Sequence, residues 1–215
     1  MDCCDRTVYD DTFDAREADA RLREYRRHGP RDSTTRLVDG LAAGGVDGLT
    51  VLDIGAGVGA VHHALLAAGA AAAVDVDASG PYIAAARDEA ERRGLSDRVT
   101  YRKGDAVALG PELEAADLVA LDRVICCYPH MEALVQLAAE RTRRRMGMVL
   151  PRDDAWIRAG IGMANRWSSL RREPFRIHAH RTASILAVAA ARGLVPVASH
   201  RSILWQTLIL ERAPA

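Results

Sequence analysis

No apolar run of membrane-spanning length occurs in the 215 residues. Crossing a bilayer core takes about 20 consecutive apolar residues, so a transmembrane helix is excluded. The opening Met1-Asp2-Cys3-Cys4-Asp5-Arg6 lacks a basic stretch followed by an apolar one. No secretory leader is therefore expected, and the cytoplasm is the expected compartment. Lysine is nearly absent: Lys103 is the only one, and arginine supplies the rest of the basic charge. The 29 basic and 29 acidic residues cancel. No basic run carries interleaved aromatics, so a nucleic-acid surface has no support. Cysteine is sparse, four residues in two adjacent pairs, Cys3-Cys4 and Cys126-Cys127. Neighbouring cysteines rarely bridge each other, and neither pair has the spacing of a zinc knuckle. His178 and His180 have no carboxylate at a ligand-like interval, so no metal is expected. Cys126 and Cys127 read as small buried residues at a strand end.

What is present is enough apolar residue, 49%, to build a sizeable core in one domain. A heavily charged helix is expected over 12–28, with Phe13, Ala20, Leu22 and Tyr25 as a thin apolar stripe, stopped by Gly29-Pro30. A second helix is expected over 33–43. The chain then alternates. Strands are expected over 49–54, 71–76, 99–102, 118–121 and 146–150, and helices over 60–68, 81–93 and 131–144. A long amphipathic helix follows over 153–172, then a helix over 182–192 and an antiparallel pair over 195–200 and 203–210. Strands alternating with helices predict a doubly wound α/β sandwich of three layers. The closing pair makes the sheet mixed, seven-stranded, with an antiparallel last strand. Residues 1–45 are expected as an N-terminal helical lid, 46–215 as the main domain, and 151–181 as an insertion.

The sharpest motif is Val51-Leu52-Asp53-Ile54-Gly55-Ala56-Gly57-Val58-Gly59. In a doubly wound sheet, ligands sit at the carboxyl ends of strands. Glycines there let backbone approach a ligand with no Cβ between. The spacing is G-x-G-x-G, not the G-x-G-x-x-G of dinucleotide sites. Asp53 is awkward beside a pyrophosphate but suits a ligand bearing an ammonium group. Asp75 and Asp77 both fall near the end of the second strand, where a carboxylate can accept from ribose hydroxyls. Asp77 has the better claim, with a helix N-cap as its competing reading. Asp105-Ala106 ends the third strand and Asp122 the fourth.

These four motifs, in order, resemble the class I Rossmann-like S-adenosylmethionine-dependent methyltransferases. The resemblance implies that Gly55, Gly57 and Gly59 wrap the amino-acid half of S-adenosylmethionine, with Asp53 organising the turn and meeting its ammonium. Asp77 and Ala78 would hold the ribose, Asp105 and Ala106 the adenine, and Asp122 belongs to the fourth-strand motif. A narrower resemblance is to the magnesium-protoporphyrin methyltransferases. It lies in Leu121-Asp122-Arg123-Val124-Ile125-Cys126-Cys127-Tyr128-Pro129, where those enzymes read Leu-Asp-Val-Leu-Ile-His-Tyr-Pro. They methylate a porphyrin propionate. Cys127 stands where the histidine is expected, and a thiol replaces imidazole poorly, which leaves the acceptor open.

Transfer from a sulfonium is an in-line displacement in which positioning does much of the work. The expected activity is O-methylation of a small molecule by a monomer or homodimer. Tyr128 and His130, just past the fourth strand, and Tyr25 and His28, on the leading helix, are the acceptor-side candidates. The competing and favoured reading of His130 is a solvent-facing residue opening the next helix. Trp156, Trp167 and Phe175 are candidates for an apolar acceptor wall. His62 and His63 read as helix surface or packing residues. Two other readings remain: a non-catalytic protein binding S-adenosylmethionine or S-adenosylhomocysteine, and an NAD-dependent oxidoreductase.

Overall fold

A computed structural model describes residues 12–173 and 175–213. Cys3 and Cys4 lie outside the described residues. Seven strands form one sheet: β1 (Thr50–Ile54), β2 (Ala72–Asp77), β3 (Val99–Lys103), β4 (Ala116–Asp122), β5 (Thr142–Pro151), β6 (Leu194–Arg201) and β7 (Trp205–Arg212). Their order is β3-β2-β1-β4-β5-β7-β6. β1 to β5 pair in parallel, and β7 runs antiparallel to both β5 and β6. The fold is thus the doubly wound mixed sheet, with its antiparallel last strand, that the alternation of elements predicts.

The helices are α1 (Ala15–His28), α2 (Asp32–Ala42), α3 (Ala60–Ala67), α4 (Gly80–Arg92), α5 (Ala106–Leu109), α6 (Met131–Glu140), α7 (Ala155–Leu170) and α8 (Thr182–Ala190). One face of the sheet packs on α2 and α3 through Leu37, Leu41, Val61, Leu65 and Leu66. The other packs on α6 and α8 through Leu134, Val135, Ala138, Ile185 and Ala189. Central strands covered on both faces are apolar throughout, as in Leu118, Val119, Ala120 and Leu121, none more than 1% exposed. α2 therefore covers the sheet, while α1 packs separately on α4 through Ala18, Leu22, Tyr25, Tyr82 and Ala85.

Several elements differ from the sequence reading. α6 stops at Glu140 and β5 starts at Thr142, so Arg143, Arg144 and Arg145 lie on a strand. Thr142 pairs with Ala116 across the sheet, and Arg145 meets Glu211 of β7 at 2.6 Å; both partners are remote in sequence. The one-turn helix α5 was not expected; the Asp105 side chain caps it by accepting from the amides of Val107 and Ala108. α7 falls within the expected 153–172 but is shorter at each end, and it buries only Ile157.

Candidate active site

From β1 the chain winds outward to β2 and β3, then returns to β4 on the opposite side of β1. That reversal opens a crevice at the carboxyl ends of β1 and β4, the place where open α/β sheets bind ligands. A cavity of about 330 Å³ lies there. Its floor is Gly55, Ala56 and Gly57, its sides are Asp77, Ala78, Asp105, Ala106, Asp122 and Arg123, and its roof is α1, with Phe13 just before it. The cavity runs on to Cys127 and Tyr128.

The turn after β1 has positive φ at Gly55, Gly57 and Gly59, +67°, +59° and +80°. Gly59 explains why glycine is required even away from the ligand. A Cβ there would stand 2.5 Å from His63 and 2.7 Å from His62. Those two rings are fully buried under the turn, not on the helix surface. His62 Nδ1 sits 3.0 Å from Asp53 Oδ2, and the His62 amide also donates to that oxygen. Asp53 is paired in register with Asp75, whose carboxylate has no hydrogen-bond partner among the described residues. Burial, then the charges of Asp53 and Asp77, push the Asp75 carboxyl well up. Burial and the neighbouring His62 hold His63 down at about 3, a neutral packing residue. Asp53 thus faces the histidines and does not line the cavity.

Asp77 does line it. Its Oδ2 accepts from the Gly57 amide at 2.9 Å and its Oδ1 from the Ser79 amide at 2.8 Å. Ser79, not Asp77, is the N-cap of α4. Burial raises the Asp77 carboxyl to about 6, against the pull of those amides. Asp105 accepts from the Tyr128 hydroxyl at 3.0 and 2.8 Å. Asp122 Oδ2 accepts from Thr34 Oγ1 at 2.6 Å, while its Oδ1 has no hydrogen-bond partner. Burial raises this carboxyl as well. Arg123, at φ +60°, sits in the left-handed region that side chains rarely adopt. It donates to Ser33 Oγ at 2.5 Å and lies 4.8 Å over the Trp205 ring.

Residues 51–145 match the model of a family described as a methyltransferase domain. The ribosomal protein L11 methyltransferase of Enterobacter sp. (strain 638) is 36% identical over 92 residues, 42% of this chain and 30% of its own length. The matched stretch is thus under a third of that relative. The crystal structure of magnesium protoporphyrin IX methyltransferase from Synechocystis PCC 6803 with bound SAH superposes with a TM-score of 0.73. It is 22% identical, over 97% of this chain and 100% of that one. An O-methyltransferase family protein from Burkholderia thailandensis gives a TM-score of 0.68 at 20% identity, over 94% of this chain and 61% of that one. Residues 51–145, under half of the chain, thus match a methyltransferase domain, and the mixed sheet has the Rossmann-like fold of these methyltransferase structures.

The residues expected on the cofactor side converge more closely than those expected on the acceptor side. Gly55, Gly57, Asp77, Ala78, Asp105, Ala106 and Asp122 all line one cavity; Asp53 and Gly59 stand behind it. Tyr25 is buried in the roof beneath Arg93, whose guanidinium lies 5.0 Å from the ring, and burial raises its phenol. Tyr128 is buried and lines the cavity. His28 and His130 are exposed and line no part of it. Trp156 and Trp167 are also outside it. Phe175 is not a lining residue either, but packs edge-on against Phe13 at 5.4 Å. Cys126 and Cys127 fall in a 3-10 turn after β4, with their sulfurs 3.9 Å apart. Thr34, Tyr82 and Arg123 line the cavity without having been expected. Arg123 was within reach of sequence reading, since it directly follows Asp122; Thr34 is 88 residues from its partner and had no local signal.

Proposed function

We propose that this chain methylates an oxygen of a small acceptor that arrives already ionised, a carboxylate above all. One observation carries the reading: no histidine is among the residues lining the cavity. A hydroxyl, phenol or amine acceptor needs a base near working pH, and imidazole is the usual one. A carboxylate needs only to be held in line.

The residues present fit S-adenosylmethionine. The Gly55-Ala56-Gly57 turn would cradle its amino-acid half. Asp122, which lines the cavity where Asp53 does not, is the carboxylate that would meet its ammonium. Asp77 and Ala78 would hold the ribose, and Asp105 and Ala106 the adenine edge. When bound, the sulfonium supplies an electrophilic methyl; a C–O bond forms as the C–S bond breaks, leaving a thioether and an ester. No proton moves. Arg123, which lines the cavity, would pair with the anion. Tyr25 and Tyr128 would confine it, and α1 would act as the lid that excludes water.

The 151–181 segment supports the acceptor end from behind. The His178 amide donates to the Cys126 carbonyl at 2.7 Å, and His180 Nε2 lies 2.9 Å from the Tyr128 carbonyl. The small-molecule reading rests on the α1 roof, and the ribosomal protein L11 methyltransferase matches only 42% of this chain.

Calorimetric titration with S-adenosylmethionine should show binding that Asp77→Ala weakens at least tenfold. Incubation with methyl-labelled S-adenosylmethionine and a panel of carboxylic acids and phenols should then give label that alkali releases as methanol, as an ester does. Absence of binding would refute the cofactor site. Binding without turnover would favour a non-catalytic binder, and alkali-stable label would refute the carboxylate.

A further inference from the structure

The acceptor cavity leaves α7 unexplained. Trp156, Met163, Trp167 and Leu170 are 55%, 71%, 60% and 73% exposed, whereas Ile157 is the helix's single buried residue. At 100° per residue the four exposed side chains fall within about 60° of arc. They form one stripe, turned well away from Ile157 and from Asn165, whose side chain is tied to Ile177 by two hydrogen bonds. A second apolar patch adjoins its start. The tip of the β6–β7 hairpin exposes Ile203 and Leu204. Arg152 anchors that tip, its amide donating to the Leu204 carbonyl and its guanidinium to the Ser202 carbonyl and Asp154, the N-cap of α7.

The charge around the stripe has one sign. Between residues 155 and 172 there are Arg158, Arg166, Arg171 and Arg172 and no acidic residue. Arg166 and Arg171 flank the stripe on the wheel, and Arg171 lies 5.1 Å over the Trp167 ring. Arg176 folds back onto Ser169 of α7 at 2.9 Å. The nearest acids are Asp154, paired with Arg152 at 2.6 Å, and Glu173 beyond the helix end. Pairing the stripe with a second copy would bring arginines together with no carboxylate on either helix to offset them. An apolar stripe with two tryptophans and an arginine border is complementary to an interface of acyl chains beneath anionic headgroups.

We infer that α7, with the β6–β7 tip, docks this protein on the surface of an anionic lipid membrane. The helix lies in the interface plane; among the described residues no helix is long and apolar enough to cross a bilayer. Trp156 and Trp167 enter the headgroup–acyl boundary, and Arg166 and Arg171, which flank the stripe, meet lipid phosphates.

The full chain is mixed with vesicles of phosphatidylcholine alone or with one third phosphatidylglycerol, and binding is read by co-sedimentation and tryptophan emission. The expected result is binding to the anionic vesicles with a blue shift, weakened at least tenfold on the neutral ones and at high salt. Met163→Asp with Leu170→Asp, both exposed positions, should reduce binding at least tenfold while leaving S-adenosylmethionine affinity unchanged by calorimetry. That second readout separates this inference from the proposed activity. No binding to either vesicle, or unchanged binding by the double variant, would overturn it. So would a concentration-dependent dimer, seen by sedimentation without lipid, that the double variant abolishes, because a second copy would then cover the stripe.

Discussion

Asp77 joins the glycine turn to the second strand, and its ionisation should be visible in binding. A carboxyl raised to about 6 is largely protonated at pH 5. Accepting from ribose hydroxyls requires the anion, so S-adenosylmethionine affinity should fall as pH drops through 6, approaching tenfold per unit below it. Calorimetry from pH 5 to 8 tests this, and Asp77→Asn should flatten the profile. The stability effect of the ligand-free protein has the opposite sign. The folded state holds this proton more tightly than an ordinary carboxyl, so Asp77's contribution to stability falls as pH rises from about 4 to about 6. Gly59 carries a different constraint. Gly59→Ala would place a methyl group against His62 and His63 in the left-handed region. We expect a loss of about 1–3 kcal/mol, or about 3–10 °C in Tm, by thermal melt, with partial loss of cofactor binding because the turn itself shifts.

Among the elements, α1 is the one whose position is most exposed to a single substitution. It is held on α4 by a small apolar cluster and by Arg26, which reaches Glu89 at 2.8 Å. Glu89 is fully buried. Burial alone would raise its carboxyl, but hydrogen bonds from Arg92, Arg26 and Arg93 hold it far below the usual range. Glu89→Gln leaves three guanidiniums facing a neutral amide. Removing one partner from a buried pair costs about 3–5 kcal/mol; these arginines are part-exposed, so about 2–3 kcal/mol is expected. Because α1 is the roof, hydrogen exchange should rise first in Ala15–His28 and the acceptor KM should rise more than kcat falls. The linear order of elements was legible because the central strands are short apolar runs, Gly55 and Gly104 directly follow β1 and β3, and Gly29, Gly69, Gly94 and Gly193 close four of the helices. The β5 start was not legible. Three consecutive arginines look like a helix end until Glu211 of β7 supplies the cross-strand partner for Arg145.

Over the whole molecule, the cavity gathers α1, three strand ends and the turn after β4, so a bound ligand should stabilise all of them together. S-adenosylmethionine at 100 times its dissociation constant adds about 2.7 kcal/mol, which in a chain of this size is about 5–10 °C in Tm. Differential scanning fluorimetry with S-adenosylmethionine and with NAD checks this, and only the former should shift the transition. The sequence by itself determined the sheet and the cofactor pole of the site. Both are written locally: buried parallel strands need continuous apolar runs, and a turn at a strand end needs glycines and an acid within a few residues. Tertiary structure decided which acid lines the cavity. Asp53 and Asp122 are equivalent as letters, but Asp53 is paired with His62 beneath the turn, whereas Asp122 opens into the cavity. It likewise decided that His28 and His130 stand outside, that Thr34 and Arg123 stand inside, and that the apolar stripe of α7 faces outward. Each of these depends on which remote residue arrives as a neighbour, a relation that periodicity along the chain does not carry.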